Sequence, residues 1–330
     1  MRWRAATAML AVALSACAGG DGGGETSPTP GTSPSISSAE LPSAGRVAET
    51  IPVGNGPDGL ALGGGDLWVA NFQGHGVTRV DPETSQVVAR IPTGASPVRA
   101  VEGFGSMWVA DYGGDTVARV DLRTNRVAAR VPMSVAFQPD GIAVAAGSVW
   151  VGSASDGSVA RIDPDTNRVV SESIQTGTDA SEITFAFGSL WVSAIQDGDL
   201  YRLDPADGKV VATIHTGGQP LFAGPVGDQL WVGLFEDGDV VRIDPSTNRI
   251  AGRTPLDNGV QGIAVLDGAA WVAVESDETG RLYRLDIDAG QPVAMTEVGV
   301  QPKLVVAIAG SLWFPLFGPG QLARFQPAVG

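Results

Sequence analysis

Seven of the eight tryptophans recur at nearly constant spacing. Trp68, Trp108, Trp150, Trp191, Trp231, Trp271 and Trp313 lie 40 to 42 residues apart. A fixed period of this size marks a repeat architecture, in which each unit buries its apolar face against the next. Each Trp stands in the same local frame, as in Asp66-Leu67-Trp68-Val69, Ser148-Val149-Trp150-Val151 and Ser311-Leu312-Trp313-Phe314. Within a repeat, four short β-forming runs alternate with turn signals. The first repeat has Gly59–Leu62, Leu67–Asn71, Val77–Val80 and Gln86–Pro92, punctuated by Gly63-Gly64-Gly65 and Asp81-Pro82. Asp156-Gly157, Asp197-Gly198 and Asp237-Gly238 are dipeptides suited to hairpins. Asp121, Asp163, Asp204, Asp244 and Asp286 follow the third runs and are predicted to cap turns with their side chains. Four strands per period of about 41 residues predict an all-β chain, a seven-bladed β-propeller of four-stranded blades. The tryptophans, sharing the blade period, are expected to pack between blades. The last repeat stops after its third run, Leu322–Phe325, while Arg46–Pro52 matches the fourth-strand pattern of Asn248–Arg253. The N-terminal strand is therefore expected to complete the last blade and close the ring.

Composition fits this reading and narrows the function. Hydrophobic residues make up 43% and charged residues 17%, with 45 glycines for tight turns. The net charge of −15, from 36 acidic and 21 basic residues, argues against nucleic acid, whose phosphates need a basic face. One Cys and two His exclude a disulfide framework, a multi-cysteine zinc site and a His-rich metal centre.

The N-terminus reads as an address. Arg2 and Arg4 precede an apolar stretch from Ala5 to Leu14, too short to span a bilayer as a helix. Leu14-Ser15-Ala16-Cys17 resembles the bacterial lipoprotein box, and the only Cys of the chain stands in it. The resemblance implies cleavage before Cys17 and acylation of Cys17, with the membrane as a partner through that lipid. Two or more acyl chains anchor a protein stably. The resemblance thus makes residues 1–16 the expected lipoprotein signal peptide. Loss of Arg2 and Arg4 takes the net charge from −15 to −17, which anionic lipid repels. Residues 17–44 follow as the lipidated Cys and a Gly/Ser/Thr/Pro linker, expected to be disordered with a reach of roughly 30 Å. Residues 45–330 form the propeller. The expected location is the bacterial cell surface or the periplasmic face of a membrane.

The repeat frame P-x-G-L-A-L, L-W-V-A-N, V-x-R-V-D-P-x-T and V-V-A-R-I-P-T-G, seen at Pro57–Gly94, resembles the YVTN-type seven-bladed propellers and the streptogramin (virginiamycin B) lyases. The lyase resemblance implies a metal-assisted elimination with His and Glu at the channel mouth, and Pro-His-Gly before first strands. Here those positions read Pro57-Asp58-Gly59 and Pro139-Asp140-Gly141, and the later ones Val260-Gln261-Gly262 and Pro302-Lys303-Leu304. The catalytic set does not carry over. His75 falls in a loop and His215 in an outer strand, where they are not expected to converge. A gluconolactonase-like resemblance would place a divalent ion, Ca or Mg, in the central channel on carboxylate and Asn ligands. Asp58, Asn71, Asp111, Asp140 and Glu182 could supply them.

In a propeller the first strands line the channel, so residues ten and nine before each Trp should reach one mouth, with those three after it nearby. These positions vary while the frame is constant. They supply the binding candidates Asp58, Asn71, Arg99, Asp111, Asp140, Glu182, Phe222, Gln261 and Lys303, charged on blades one to four and apolar on blade five. Apolar walls with a few polar groups are the usual form of a ligand site. The leading expectation is a non-enzymatic ligand-binding or protein-interaction module at the cell envelope, its partner an envelope protein or a small molecule. The alternative is a metal-dependent lyase or lactonase.

Overall fold

A computed structural model describes residues 41–328. Cys17, the signal segment and the linker up to residue 40 lie outside the described residues. The 28 strands form seven four-stranded antiparallel sheets. Blade one consists of β2 (Pro57–Gly63), β3 (Asp66–Asn71), β4 (Gly76–Asp81) and β5 (Gln86–Pro92), in that spatial order. Blades two to six repeat it, beginning at β6 (Pro97–Gly103), β10 (Pro139–Ala145), β14 (Ala180–Ala186), β18 (Pro220–Val226) and β22 (Val260–Leu266). Blade seven has the order β1-β28-β27-β26, in which β27 is Ser311–Leu316. Its first strand, β26 (Val306–Ile308), is short, and its outer strand is β1 (Gly45–Pro52), paired antiparallel with β28 (Gln321–Pro327). The N-terminal strand thus closes the ring, and no blade is left one strand short.

The core sits at the junctions between blades. Seven apolar clusters are present, each shared by two neighbours. Trp68, Ala70, Val77 and Ile91 of blade one, for example, pack with Met107, Val109, Ala118 and Val120 of blade two. Every repeat Trp is buried. In five blades its indole Nε1–H donates to the carbonyl five residues earlier, as Trp68 does to Gly63 at 2.9 Å. An Arg from the third strand lies over the indole in six blades, 4.9 to 6.0 Å from the ring centre. In five of these six blades the same Arg reaches a turn of the next blade. Arg119 donates to Pro164 O at 2.6 Å and Asn167 Oδ1 at 2.9 Å, and Arg202 to Pro245 O and Asn248 Oδ1. One guanidinium therefore covers a Trp and ties two blades.

The turn aspartates act as expected from sequence. Asp121 Oδ1 accepts from the backbone N–H of Arg123 and Thr124, and Asp163 Oδ1 from those of Asp165 and Thr166. These bonds hold both carboxyls below the usual carboxylate range.

Candidate functional site

The first strands of neighbouring blades contact one another and form the inner ring. One feature of these strands places the site. In blades one to six the residue eleven before the Trp pairs with the residue three after it, and the register then slips. A bulge of this kind turns side chains away from the regular pleat. It falls at the positions of Asp58, Arg99, Asp140, Glu182 and Phe222.

The residue nine before each Trp alternates in size around the ring. Gly59, Gly141 and Gly262 stand on blades one, three and six, with Arg99, Glu182, Phe222 and Leu304 on the others. The glycines are required by close approach. A Cβ on Gly59 would lie 2.1 Å from Val98 O, and one on Gly141 2.7 Å from Ile183 N. Arg99 crosses toward blade four, its Nε 2.9 Å from Glu182 Oε2, and its Nη1 lies 3.1 Å from Asp58 Oδ1 on blade one. Phe222 packs with Leu304 and Leu60 on the apolar side. The axis is half ionic and half apolar.

Burial sets the electrostatics. Asp140 is pushed up to about 7, chiefly by desolvation, while the Arg99 charge pulls the other way and Glu182, Asp58 and Asp179 add to the rise. Its Oδ1 is shut off from solvent and has no hydrogen-bond partner. Desolvation raises Glu182 as well, against the opposing pull of Arg99, and the Arg99 guanidinium is held firmly in its charged form by Asp58, Glu182 and Asp140 despite its burial.

A second group lies on blades six and seven. Glu275 accepts from Lys303 Nζ at 2.6 Å and from the Gln261 amide. Lys303 also stands 5.3 Å from the ring centre of Phe317. Asn71 and Asp111 do not join either group. Asn71 Nδ2 donates to Thr78 Oγ1 at 3.0 Å, and Asp111 accepts from the N–H of Ala95 and Ser96. Both are buried supports of the loops. His75 and His215 stay apart, His215 being exposed beside Asp199.

Of the residues four after each Trp, sequence reasoning placed only Phe235 at the mouth and missed the other six. Phe72, Tyr112, Ala154, Ile195, Phe235, Glu275 and Phe317 are all half-buried. Their N–H groups make seven equivalent bonds to the loop before the first strand, such as Phe72 N to Gly56 O at 2.8 Å and Tyr112 N to Ser96 O at 3.0 Å. They form a collar around the mouth, one residue beyond the buried ring at position three. Phe72 and Tyr112 touch, with centroids 6.0 Å apart. Burial and the nearby charges of Asp140 and Asp179 raise the Tyr112 hydroxyl, placing it beside the ionic half of the axis.

A Ca or Mg ion does not fit the channel. The Arg99 guanidinium stands between Asp58 and Glu182, Asn71 and Asp111 are turned into their loops, and among the described residues no three His, Cys, Asp or Glu side chains converge as a ligand set. No helix among the described residues is long and apolar enough to cross a membrane.

Comparison with known proteins agrees on the fold. The protein-family model described as outer membrane protein assembly factor BamB matches residues 196–312. No curated protein matches the sequence. Among solved structures, the chain is similar to Kuenenia stuttgartiensis hydrazine synthase, at 18% identity and a TM-score of 0.73, covering 92% of this chain and 100% of the other. It is also similar to a streptogramin B lyase, at 16% identity and TM-score 0.70, covering 84% and 95%. Virginiamycin B lyase from Staphylococcus aureus aligns at 15% identity and TM-score 0.70, covering 84% and 98%. At these identities the likeness is one of fold.

Proposed function

We propose that the chain is an exported lipoprotein, held at a bacterial membrane through acylated Cys17, whose propeller is a non-enzymatic binding module of the cell envelope. The observation that carries this reading is the engagement of two axial carboxylates by one guanidinium. Arg99 lies between Asp58 and Glu182, where a lyase or lactonase would need free carboxylates for a metal or a proton transfer. Around this plug stands a half-buried collar that varies in chemistry from blade to blade over a constant frame. The match of residues 196–312 to a model described as an outer membrane protein assembly factor supports an envelope interaction.

Two measurements test it. The full chain expressed with labelled palmitate should carry the label, and Cys17→Ala should abolish both labelling and membrane retention. Thermal unfolding of the full chain after chelator treatment should be unmoved by Ca, Mg, Mn or Zn. A specific metal at 100 times its dissociation constant would add about 2.7 kcal/mol of stability. A saturable shift of that size, lost in Asp140→Ala, would replace this reading with the lyase or lactonase alternative. The Asp140 carboxyl, displaced toward neutrality, is the observation that favours that alternative.

A further inference from the structure

We infer that the mouth recognises an organic cation bearing several amine groups, with an ammonium seated between Asp140 and the Phe72–Tyr112 pair. The inference rests on the binding-module reading and names its ligand class. Four observations carry it.

Asp140 Oδ1 lacks a donor although it is closed to solvent, and a buried acceptor without a partner is costly. Its neighbours Asp58, Glu182 and Asp179 are acidic, with Arg99 the one opposing charge acting on it. Asp140 as a whole is only partly buried, so an ammonium at its open side would supply the missing charge. Beside it, Phe72 and Tyr112 present half-buried rings, and aromatic faces attract desolvated cations.

An anion is disfavoured by the same geometry. The cations near the axis are already engaged, Arg99 by Asp58 and Glu182, Lys303 by Glu275 and the Phe317 ring.

The field of the whole face points the same way. In the loops after the second strands, blades two to six all carry Asp or Glu, with Glu275, Asp277 and Glu278 together on blade six, and none of the seven loops holds a Lys or Arg. Turns at the opposite face mix signs, with Arg123, Arg126, Arg168, Lys209 and Arg249 in or beside them. The opposite turns are acidic in excess as well, but only the loops at the mouth are free of Lys and Arg, and a field of one sign there steers cations inward.

Two sources can present such amines, a free polyamine or a lysine-rich segment of a protein. The test titrates the full chain in detergent with spermine and, separately, with an oligolysine peptide, by calorimetry at low and at physiological salt. Saturable binding weakened about tenfold or more by Asp140→Asn, and several-fold by Tyr112→Leu, supports the inference. Asp121→Asn, on the opposite face, serves as the control and leaves binding unchanged. Tighter binding of spermine identifies a small polyamine, and tighter binding of oligolysine a basic protein segment. Two results overturn it: no binding of either probe, or binding that all three variants leave intact. The parent reading is tested separately by cross-linking the lipid-bearing chain on cells. If a partner is captured and Asp140→Asn or Phe222→Ala loses it while neither amine binds, the amine class fails and the binding module stands. If no partner is captured and no amine binds, both fail.

Discussion

Arg99 and Glu182 belong to blades two and four, yet Arg99 Nε lies 2.9 Å from Glu182 Oε2. The pair spans the blade between them, and Gly141 of blade three, whose Cβ would fall 2.8 Å from Glu182 Cα, lets the Glu182 backbone come close. Removing the cation leaves Asp58 and Glu182 facing each other unpaired. Arg99→Met should therefore destabilise the fold by about 3–5 kcal/mol, read from urea unfolding. Adding Asp58→Asn and Glu182→Gln should return part of the loss. A triple variant no more stable than the single one would show that Arg99 acts through packing alone.

Asp140 makes stability depend on pH. Its folded carboxyl titrates at about 7, above the ordinary value of 3.8. Between these values the folded state holds a proton that the unfolded state has lost. Stability therefore falls as pH rises from about 4 to about 7, and is level with respect to this group above that. Glu182, raised in the same direction, adds to the slope. Asp140→Asn should flatten the curve of unfolding free energy across this range. A slope unchanged in that variant would assign it to other groups.

The Arg–Trp clamps should contribute one by one. Arg202 lies 5.0 Å from the Trp191 ring centre and ties blade four to blade five through Pro245 O and Asn248 Oδ1. Arg202→Ala should cost about 1–3 kcal/mol. Arg202→Lys should recover little of this, because a point charge cannot cover the ring and bind both oxygens together. Denaturant midpoints of the two variants give the comparison.

Ring closure depends on β1. Deleting residues 45–52 leaves β28 with an unpaired edge and uncovers Phe325 beneath Gly45. Such an edge pairs with other chains. The shortened chain should aggregate or dimerise on size-exclusion chromatography, and adding back a peptide of residues 45–52 should reduce this. A monodisperse shortened monomer would mean that the other six blades hold the ring without help.

The fold was legible because one large side chain per repeat marks the period. Trp68 to Trp313 fix the blade junctions, and the unpaired third strand at Leu322–Phe325 asks for the strand that Arg46–Pro52 provides. The ionic centre was legible as composition: Asp58, Arg99, Asp140 and Glu182 stood at aligned positions. That Arg99 could pair with carboxylates was legible too, but which ones it meets was not, since the bulge that aims them is a register slip with no residue of its own. Asn71 and Asp111 were read as neighbours of the mouth because they lie three residues after a Trp. Side chains along a strand alternate in direction, so that position turns inward and the next one opens to the mouth. A shift of one residue separates Asn71 from Phe72 and Asp111 from Tyr112, and Glu275 was missed for the same reason.

The antiparallel pairing of β1 with β28 also governs how the molecule can be held. Gly45 starts β1 beside Pro327, and Pro52 ends it beside Gln321, where β28 leaves the mouth. Both ends of the folded ring are thus on the rim away from the collar. A tag, a bead or a sensor surface coupled at either end leaves the collar facing outward, so oriented immobilisation needs no engineering of the blades.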